Sequence, residues 1–248
     1  GESLVECGGF DPSDQMRRYV RWWRDGYNSS LPFCFDIGNI TRTALERFEK
    51  TGEPYSGDTH PGTAGNGSLM RLAPVAMCFA ATPADAVARA ADSSRTTHAT
   101  PEAVDACRWF AALLAGALAG ENKEALLAHD HAPPGIDWSQ PPLAPAIAGI
   151  RTGSFRAKER AAIKSSGYVV HTLEAALWAF HQTSDFRSGA LLAVNLGDDA
   201  DTVGAVYGQI AGAHYGVSAI PEEWVERIWR RDDIVALADR LHDLSASA

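Results

Sequence analysis

Proline directly follows a helix-capping residue at Asp11-Pro12, Thr82-Pro83 and Thr100-Pro101. Each pair opens a segment whose apolar residues recur at helical spacing. The cap side chain accepts from a free backbone N–H, and proline at the first helical position sacrifices no hydrogen bond. The first pair leads into a helix over 14–26, where Met16, Tyr19, Val20 and Trp23 share one face. The second starts a helix running to about residue 92, the third a longer one to about residue 118. Ala111, Ala112, Ala115, Gly116, Ala117 and Ala119 crowd that longer helix with small side chains, which suits close approach by its neighbours. Further helices are predicted over 41–50, 69–80, 122–130, 170–182, 185–195, 202–215, 221–230 and 233–244. Trp22, Trp23, Trp178 and Trp224 fall at helical spacing, on core or half-buried faces. Nowhere do β-branched and polar residues alternate for long enough to predict a strand. The expected architecture is an all-α globule with functional loops between helices. The Pro-rich stretch 132–145 lies between equally apolar helices, so it reads as a surface excursion within one domain over 1–248.

Composition narrows the partners. With 46% hydrophobic and 21% charged residues the chain reads as an ordinary water-soluble protein. Its most apolar stretch, 103–118, is broken by Asp105 and Arg108 and does not make a membrane span. A net charge of −9 argues against a general electrostatic grip on nucleic acid, while leaving room for a nucleotide held by backbone N–H groups. Cys7, Cys34, Cys78 and Cys107 form no C-x-x-C pair and have no His at zinc-ligand spacing. They read as isolated reduced thiols in a cytoplasmic protein.

Three loops carry unusual chemistry. Asn195-Leu196-Gly197-Asp198-Asp199-Ala200-Asp201-Thr202 gathers three carboxylates and a hydroxyl before a helix. A helix N-terminus offsets part of their mutual repulsion, about 0.3–1 kcal/mol per favourable placement, and a divalent cation would offset far more. Hard oxygen donors suit Mg²⁺, Mn²⁺ or Ca²⁺ rather than zinc. The plainer reading is a helix capped by Asp201 or Thr202 with the other acids solvated. Gly62-Thr63-Ala64-Gly65-Asn66-Gly67-Ser68-Leu69-Met70-Arg71 can cradle a phosphate with N–H groups and the Ser68 hydroxyl, or can be a glycine turn with a serine cap. Arg71 is a phosphate partner or a structural ion pair. Phe35-Asp36-Ile37-Gly38-Asn39 sets Asp36 in apolar surroundings, where it binds a ribose hydroxyl or shapes a turn. His98 and Tyr168 each admit a ligand-contacting and a packing reading. No Gly-x-Ser-x-Gly or Cys–His nucleophile signature is present.

Taken in order, Asp36-Ile37-Gly38 with Thr41-Arg42, Gly65 to Arg71, Thr97-His98, Ser166-Gly167-Tyr168-Val169 with Leu173 to Trp178, and Asn195 to Thr202 with Gly204-Ala205 resemble the ADP-ribosylglycohydrolase family. That family includes dinitrogenase-reductase-activating glycohydrolases and ADP-ribosyl-serine hydrolases. The resemblance implies an all-α fold and two metal ions, Mg²⁺ or Mn²⁺, at the mouth of a cleft. It implies Asp199, Asp201 and Thr202 as metal ligands, the two aspartates being catalytic, with Asp198 standing where many members have glycine. Asn66, Gly67, Ser68 and His98 would hold the diphosphate region, Asp36 the distal ribose, and Tyr168 would lie near the adenosine. The substrate implied is an ADP-ribosylated protein or small-molecule ADP-ribose conjugate, with arginine the preferred acceptor. The reaction is hydrolysis at C1″ through an oxocarbenium-like transition state.

Family members carry an earlier Thr-Asp-Asp-Thr segment with the remaining metal ligands, preceded by an acidic residue on a mobile loop. This chain opens at Gly1-Glu2-Ser3-Leu4-Val5-Glu6, which resembles the helix after that segment. The domain is therefore expected to be N-terminally incomplete, with metal binding and turnover impaired. The alternatives are a non-catalytic ADP-ribose reader or crystallin-like relative, and a metal-free structural protein.

Overall fold

The computed structural model describes residues 1–246. Its helices are α1 (Glu2–Cys7), α2 (Pro12–Asp25), α3 (Asn39–Thr51), α4 (Ala73–Cys78), α5 (Pro83–Arg95), α6 (Pro101–Leu118), α7 (Lys123–Leu126), α8 (Pro145–Arg151), α9 (Val169–Gln182), α10 (Phe186–Val194), α11 (Ala200–Tyr215), α12 (Glu222–Val225) and α13 (Arg231–Ala246). Among the described residues β-structure is confined to isolated bridges, at Asp58 with His98, Gly65 with Tyr168, and Ser139 with Pro142. The all-α expectation is met.

Proline opens α2, α5 and α6 as expected, but the side-chain cap forms only at α2 and α6, and Thr82 makes no cap hydrogen bond to α5. Asp11 Oδ1 accepts from Asp14 N at 2.8 Å, and the Thr100 hydroxyl accepts from Ala103 N at 3.3 Å. Helix α6 is the axis of the molecule. It is buried almost continuously from Ala103 to Ala117 and packs against α4, α5, α9 and α11. Its small residues allow that crowding, while Trp109, Phe110, Leu113 and Leu114 fill the space between neighbours. Each such side chain contributes about 1.5–3 kcal/mol on burial, more than any difference in helix propensity. One apolar cluster runs from Leu4 in α1 to Leu241 in α13.

Three segments depart from expectation. The helix predicted over 69–80 is helical only at Ala73–Cys78. Leu69 N and Met70 N turn back to Asn66 O at 3.0 and 3.1 Å, and Pro74, which has no N–H to give, sits in the first turn that follows. The helix predicted over 122–130 spans only Lys123–Leu126. The stretch 132–145 that follows is exposed along most of its length, as a surface excursion, and is anchored at two points. Trp138 and Leu143 are buried, Trp138 Nε1 donates to His131 O at 3.0 Å, and the guanidiniums of Arg108 and Arg151 flank its ring. The predicted 221–230 helix ends at Val225 and continues in turns, with Arg227 N on Trp224 O and Ile228 N on Val225 O.

Glu174, in the middle of α9, is a buried carboxylate. Lys158 Nζ lies 2.7 and 2.6 Å from its two oxygens, and the Ser154 hydroxyl donates at 3.0 Å. Removing one partner of a buried pair strands the other charge, and a third of the Lys158 side chain is exposed, which softens the penalty. Lys158→Met is expected to lower stability by about 2 kcal/mol in urea unfolding. Adding Glu174→Gln should restore most of it, and an additive double mutant would count against the pairing.

Candidate functional site

The glycine loop is fastened to the start of α9 by backbone. Asn66 N donates to Gly167 O at 3.1 Å, and Val169 N to Ala64 O at 3.0 Å. This brings Asn66, in the first third of the chain, beside the acidic loop between α10 and α11. Asn66 is 8% exposed, and its Nδ2 donates to Thr172 Oγ1 at 2.8 Å and to Asp199 Oδ2 at 2.6 Å. One amide therefore ties together the glycine loop, α9 and the start of α11. The acidic loop is further held by Asp199 N on Ser165 O at 3.4 Å, by the Ser165 hydroxyl on Gly197 O at 2.8 Å, and by Arg160 on Asn195 O.

Asp199 is the N-cap residue of α11, so Asp201 and Thr202 lie in its first turn. The capping expected of Asp201 or Thr202 moves two or three residues earlier, and Asp199 caps without a side-chain hydrogen bond to α11. Asp201 is exposed, and its Oδ1 accepts from Thr202 N at 2.9 Å. Thr202 is buried, its hydroxyl 3.8 Å from Met70 Sδ. Asp198 has φ 49°, and Gly197 before it φ 84°. The left-handed region explains why glycine suits position 198, and Asp is among the few other residues that enter it readily.

Two carboxylates and a hydroxyl thus share one helix start. All are hard oxygens, so in kind they fit Mg²⁺ or Mn²⁺. No group of three His, Cys, Asp or Glu side chains able to hold a metal ion occurs among the described residues. The donors fit part of a divalent cation's ligand shell rather than enclosing one.

Below the glycine loop lies a buried polar layer. His98 is 2% exposed, and its ring packs so closely under the glycines that a Cβ on Gly67 would come within 2.8 Å of Cε1 and 3.0 Å of Nε2. His98 Nδ1 lies 2.7 Å from Thr97 Oγ1, which also accepts from Arg71 Nη2 at 2.7 Å. The Thr97 hydroxyl thus links the Arg71 guanidinium to the imidazole, and His98 Nε2 faces the glycines. Burial, with the positive charge of Arg71, pushes the imidazole down to a pKa of about 3, so it stays neutral at physiological pH. Arg71 also donates to Gly67 O at 3.0 Å and lies over the Tyr19 ring. Of its two expected roles the structure shows a structural one, through hydrogen bonds rather than an ion pair. Ser68 is 1% exposed, and its hydroxyl bonds Ser94 at 2.8 Å and Cys107 Sγ at 3.5 Å. Its side chain thus faces inward. The backbone N–H groups of Gly67 and Ser68 donate to nothing among the described residues.

Asp36 is exposed with φ 54°. It lines a cavity of about 390 Å³ together with Thr41, Gly67, Met70 and Arg71. Met70 therefore joins this cavity to Thr202. Tyr168 is half-buried at the start of α9. Its hydroxyl donates to Glu102 Oε1 at 2.8 Å, and burial followed by that carboxylate pushes its pKa up to about 12. The structure gathers Asn66, Gly67, Asp199 and Thr202 around the glycine loop, with Tyr168 paired to Gly65 and Asp36 across the cavity. Thr172 and Glu102 were missed by sequence reasoning. Both are ordinary helix residues in the chain and gain meaning only from what they touch.

A model of the ADP-ribosylglycohydrolase family matches residues 1–248, and the chain belongs to that family. It is 44% identical to "ADP-ribosylarginine hydrolase Tri1" of Pseudomonas putida (strain GB-1), over 98% of this chain and 63% of that protein. It is 31% identical to "ADP-ribosyl-[dinitrogen reductase] glycohydrolase" of Rhodospirillum rubrum, over 96% of this chain and 76% of that protein. Among solved structures, an "ADP-ribosylglycohydrolase-related protein complex" superposes with a TM-score of 0.84 at 45% identity, covering 98% of this chain and 77% of that one. The chain spans 63% of the length of the Pseudomonas relative.

Proposed function

We propose that this chain carries the ADP-ribose cradle and part of the metal site of an enzyme that hydrolyses the bond between ADP-ribose and an acceptor. Arginine is the acceptor we favour, because the Pseudomonas relative is named for it. The observation that carries the reading is the 2.6 Å bond from Asn66 Nδ2 to Asp199. It fixes a loop with free backbone N–H groups against a carboxylate-rich helix start, the two chemistries a diphosphate–ribose ligand needs side by side.

In this reading Gly67 N–H and Ser68 N–H donate to the diphosphate, and the neutral His98 ring packed beneath the glycines holds the loop in place. Asp36 accepts from a hydroxyl of the distal ribose, and Tyr168 borders the nucleoside. Asp199, Asp201 and Thr202 would hold a divalent cation, Mg²⁺ or Mn²⁺. When bound, that cation supplies Lewis acidity and lowers the pKa of a water. Asn66 keeps Asp199 in place throughout. The partner is then an ADP-ribosylated protein or a small ADP-ribose conjugate. Among the described residues no helix is long and apolar enough to cross a membrane. We place the protein in the cytoplasm because Cys7, Cys34, Cys78 and Cys107 are all free thiols.

The second reading is a metal-independent ADP-ribose binder, favoured by the small number of carboxylates gathered here. Calorimetry of the intact protein with ADP-ribose, with and without Mg²⁺, alongside release of arginine from ADP-ribosyl-arginine, separates the two. The hydrolase reading expects Mg²⁺-strengthened binding and release of arginine. Binding indifferent to Mg²⁺ without hydrolysis supports the binder, and absence of ADP-ribose binding overturns both.

A further inference from the structure

Tyr168 is held from three sides. Its backbone pairs with Gly65 in the glycine loop. Its ring meets His171 edge to face, with centroids 5.0 Å apart, and His171 Nδ1 lies 2.8 Å from the Ser166 hydroxyl. Its hydroxyl donates to Glu102 Oε1 at 2.8 Å. Glu102 belongs to another helix, in the first turn of α6, which Thr100 caps. The bond crosses 66 positions of sequence and links the central helix to the rim of the glycine loop. A phenol hydrogen-bonded to a carboxylate loses the ring's freedom to rotate about its side-chain bonds, so a ligand need not supply that ordering when it binds.

We propose that Glu102 is a positioning residue that fixes the Tyr168 ring, and that this pair sets how tightly the nucleoside end of an ADP-ribose ligand is held. The inference rests on the ADP-ribose reading above. It assigns Glu102 no contact with the reacting atoms. The alternative role for an acid in the first turn of α6 is to favour the helix dipole, which would act on stability alone.

The test is calorimetric binding of ADP-ribose and of ribose 5-phosphate, which lacks the nucleoside, to the intact protein and to Glu102→Ala, Glu102→Gln, Tyr168→Phe and the Glu102→Ala/Tyr168→Phe pair. Having to order one such side chain on binding corresponds to roughly a two- to tenfold weakening. Glu102→Ala and Tyr168→Phe should each weaken ADP-ribose by about that factor and leave ribose 5-phosphate unchanged. The double variant should be no weaker than either single one, because both remove the same bond. Glu102→Gln keeps an acceptor oxygen and should recover most of the affinity. Additive losses, equal losses for both ligands, or unchanged ADP-ribose affinity would each overturn the proposal. If Glu102→Ala does not fold, Tyr168→Phe and Glu102→Gln still decide. Failure of the unmutated protein to bind ADP-ribose overturns the functional reading itself, an outcome distinct from normal binding that Glu102 does not influence.

Discussion

Under the proposed hydrolase reading, alanine at Asp201 is expected to abolish most of the hydrolysis of ADP-ribosyl-arginine by the intact protein while leaving its fold almost untouched. Asp201 is exposed, and among the described residues its carboxylate accepts only from the neighbouring Thr202 N–H. Its contribution to α11 is the favourable placement of a negative charge in the first turn, about 0.3–1 kcal/mol. A ligand that helps hold a Lewis-acidic cation supports several kcal/mol of transition-state stabilisation. At about 1.4 kcal/mol per factor of ten, a fall in kcat/KM on the order of 100- to 1000-fold follows. Asp199→Ala should be at least as severe, because Asp199 also receives the Asn66 amide. Asp199→Asn separates its two tasks. The amide can still accept from Asn66, so loop placement survives, while the charge is gone. Under the metal reading Asp199→Asn is as inactive as Asp199→Ala. Under a purely architectural one it is nearly normal. Steady-state release of arginine with Mg²⁺ present measures both, and hydrolysis that survives alanine at 199 and at 201 would sink the metal assignment.

The uneven legibility of this site in the sequence has a physical origin. Helix starts are local events, so Asp11-Pro12 and Thr100-Pro101 announce themselves within a few residues. The glycine loop and the acidic loop are visible for the same reason, since their chemistry is concentrated in short runs. What joins them is not local. Asn66 reaches Thr172 across 106 positions and Asp199 across 133, and no periodicity encodes those distances. Ser68 shows the opposite failure. A serine after glycine before an apolar run resembles a cap, yet the turns at Asn66 delay the helix to Ala73 and rotate the hydroxyl inward to Ser94. Arg71 looks like a phosphate ligand by charge alone. Its guanidinium also holds Gly67 O and Thr97 Oγ1 while lining the cavity beside the loop, contacts that no local sequence pattern announces. The run Leu173-Glu174-Ala175 carried resemblance without a visible reason. In the structure it holds a buried carboxylate partnered by Lys158 and Ser154, which lie 16 and 20 positions away.

Gly189→Ala is expected to be the most damaging single methyl in the molecule, and to act on the acidic loop from a distance. Gly189 lies in α10 where that helix crosses α11, and Tyr207 of α11 is fully buried against it. A Cβ at 189 would stand 2.1 Å from Tyr207 Oη, 2.4 Å from its Cζ and 2.6 Å from Thr183 Oγ1. The Tyr207 hydroxyl cannot swing aside freely, because it donates to Phe186 O at 3.0 Å in the same helix. Either α10 and α11 separate or the tyrosine leaves its pocket and strands that carbonyl. Overpacking of this kind costs about 1–3 kcal/mol, and a lost buried hydrogen bond adds about 1 kcal/mol, so a loss of about 3 kcal/mol in chemical denaturation is expected. Because residues 195–199 connect these two helices, their separation also displaces Asp199 and Asp201 relative to Asn66. Gly189→Ala should therefore lower activity beyond what its folded fraction explains. Tyr207→Phe in the same chain removes the 2.1 Å contact but not the 2.4 Å one, so it should restore only part of the stability. Full restoration would mean the hydroxyl alone is in the way. An unchanged unfolding midpoint for Gly189→Ala alone would show that the helix crossing has more room than these distances allow.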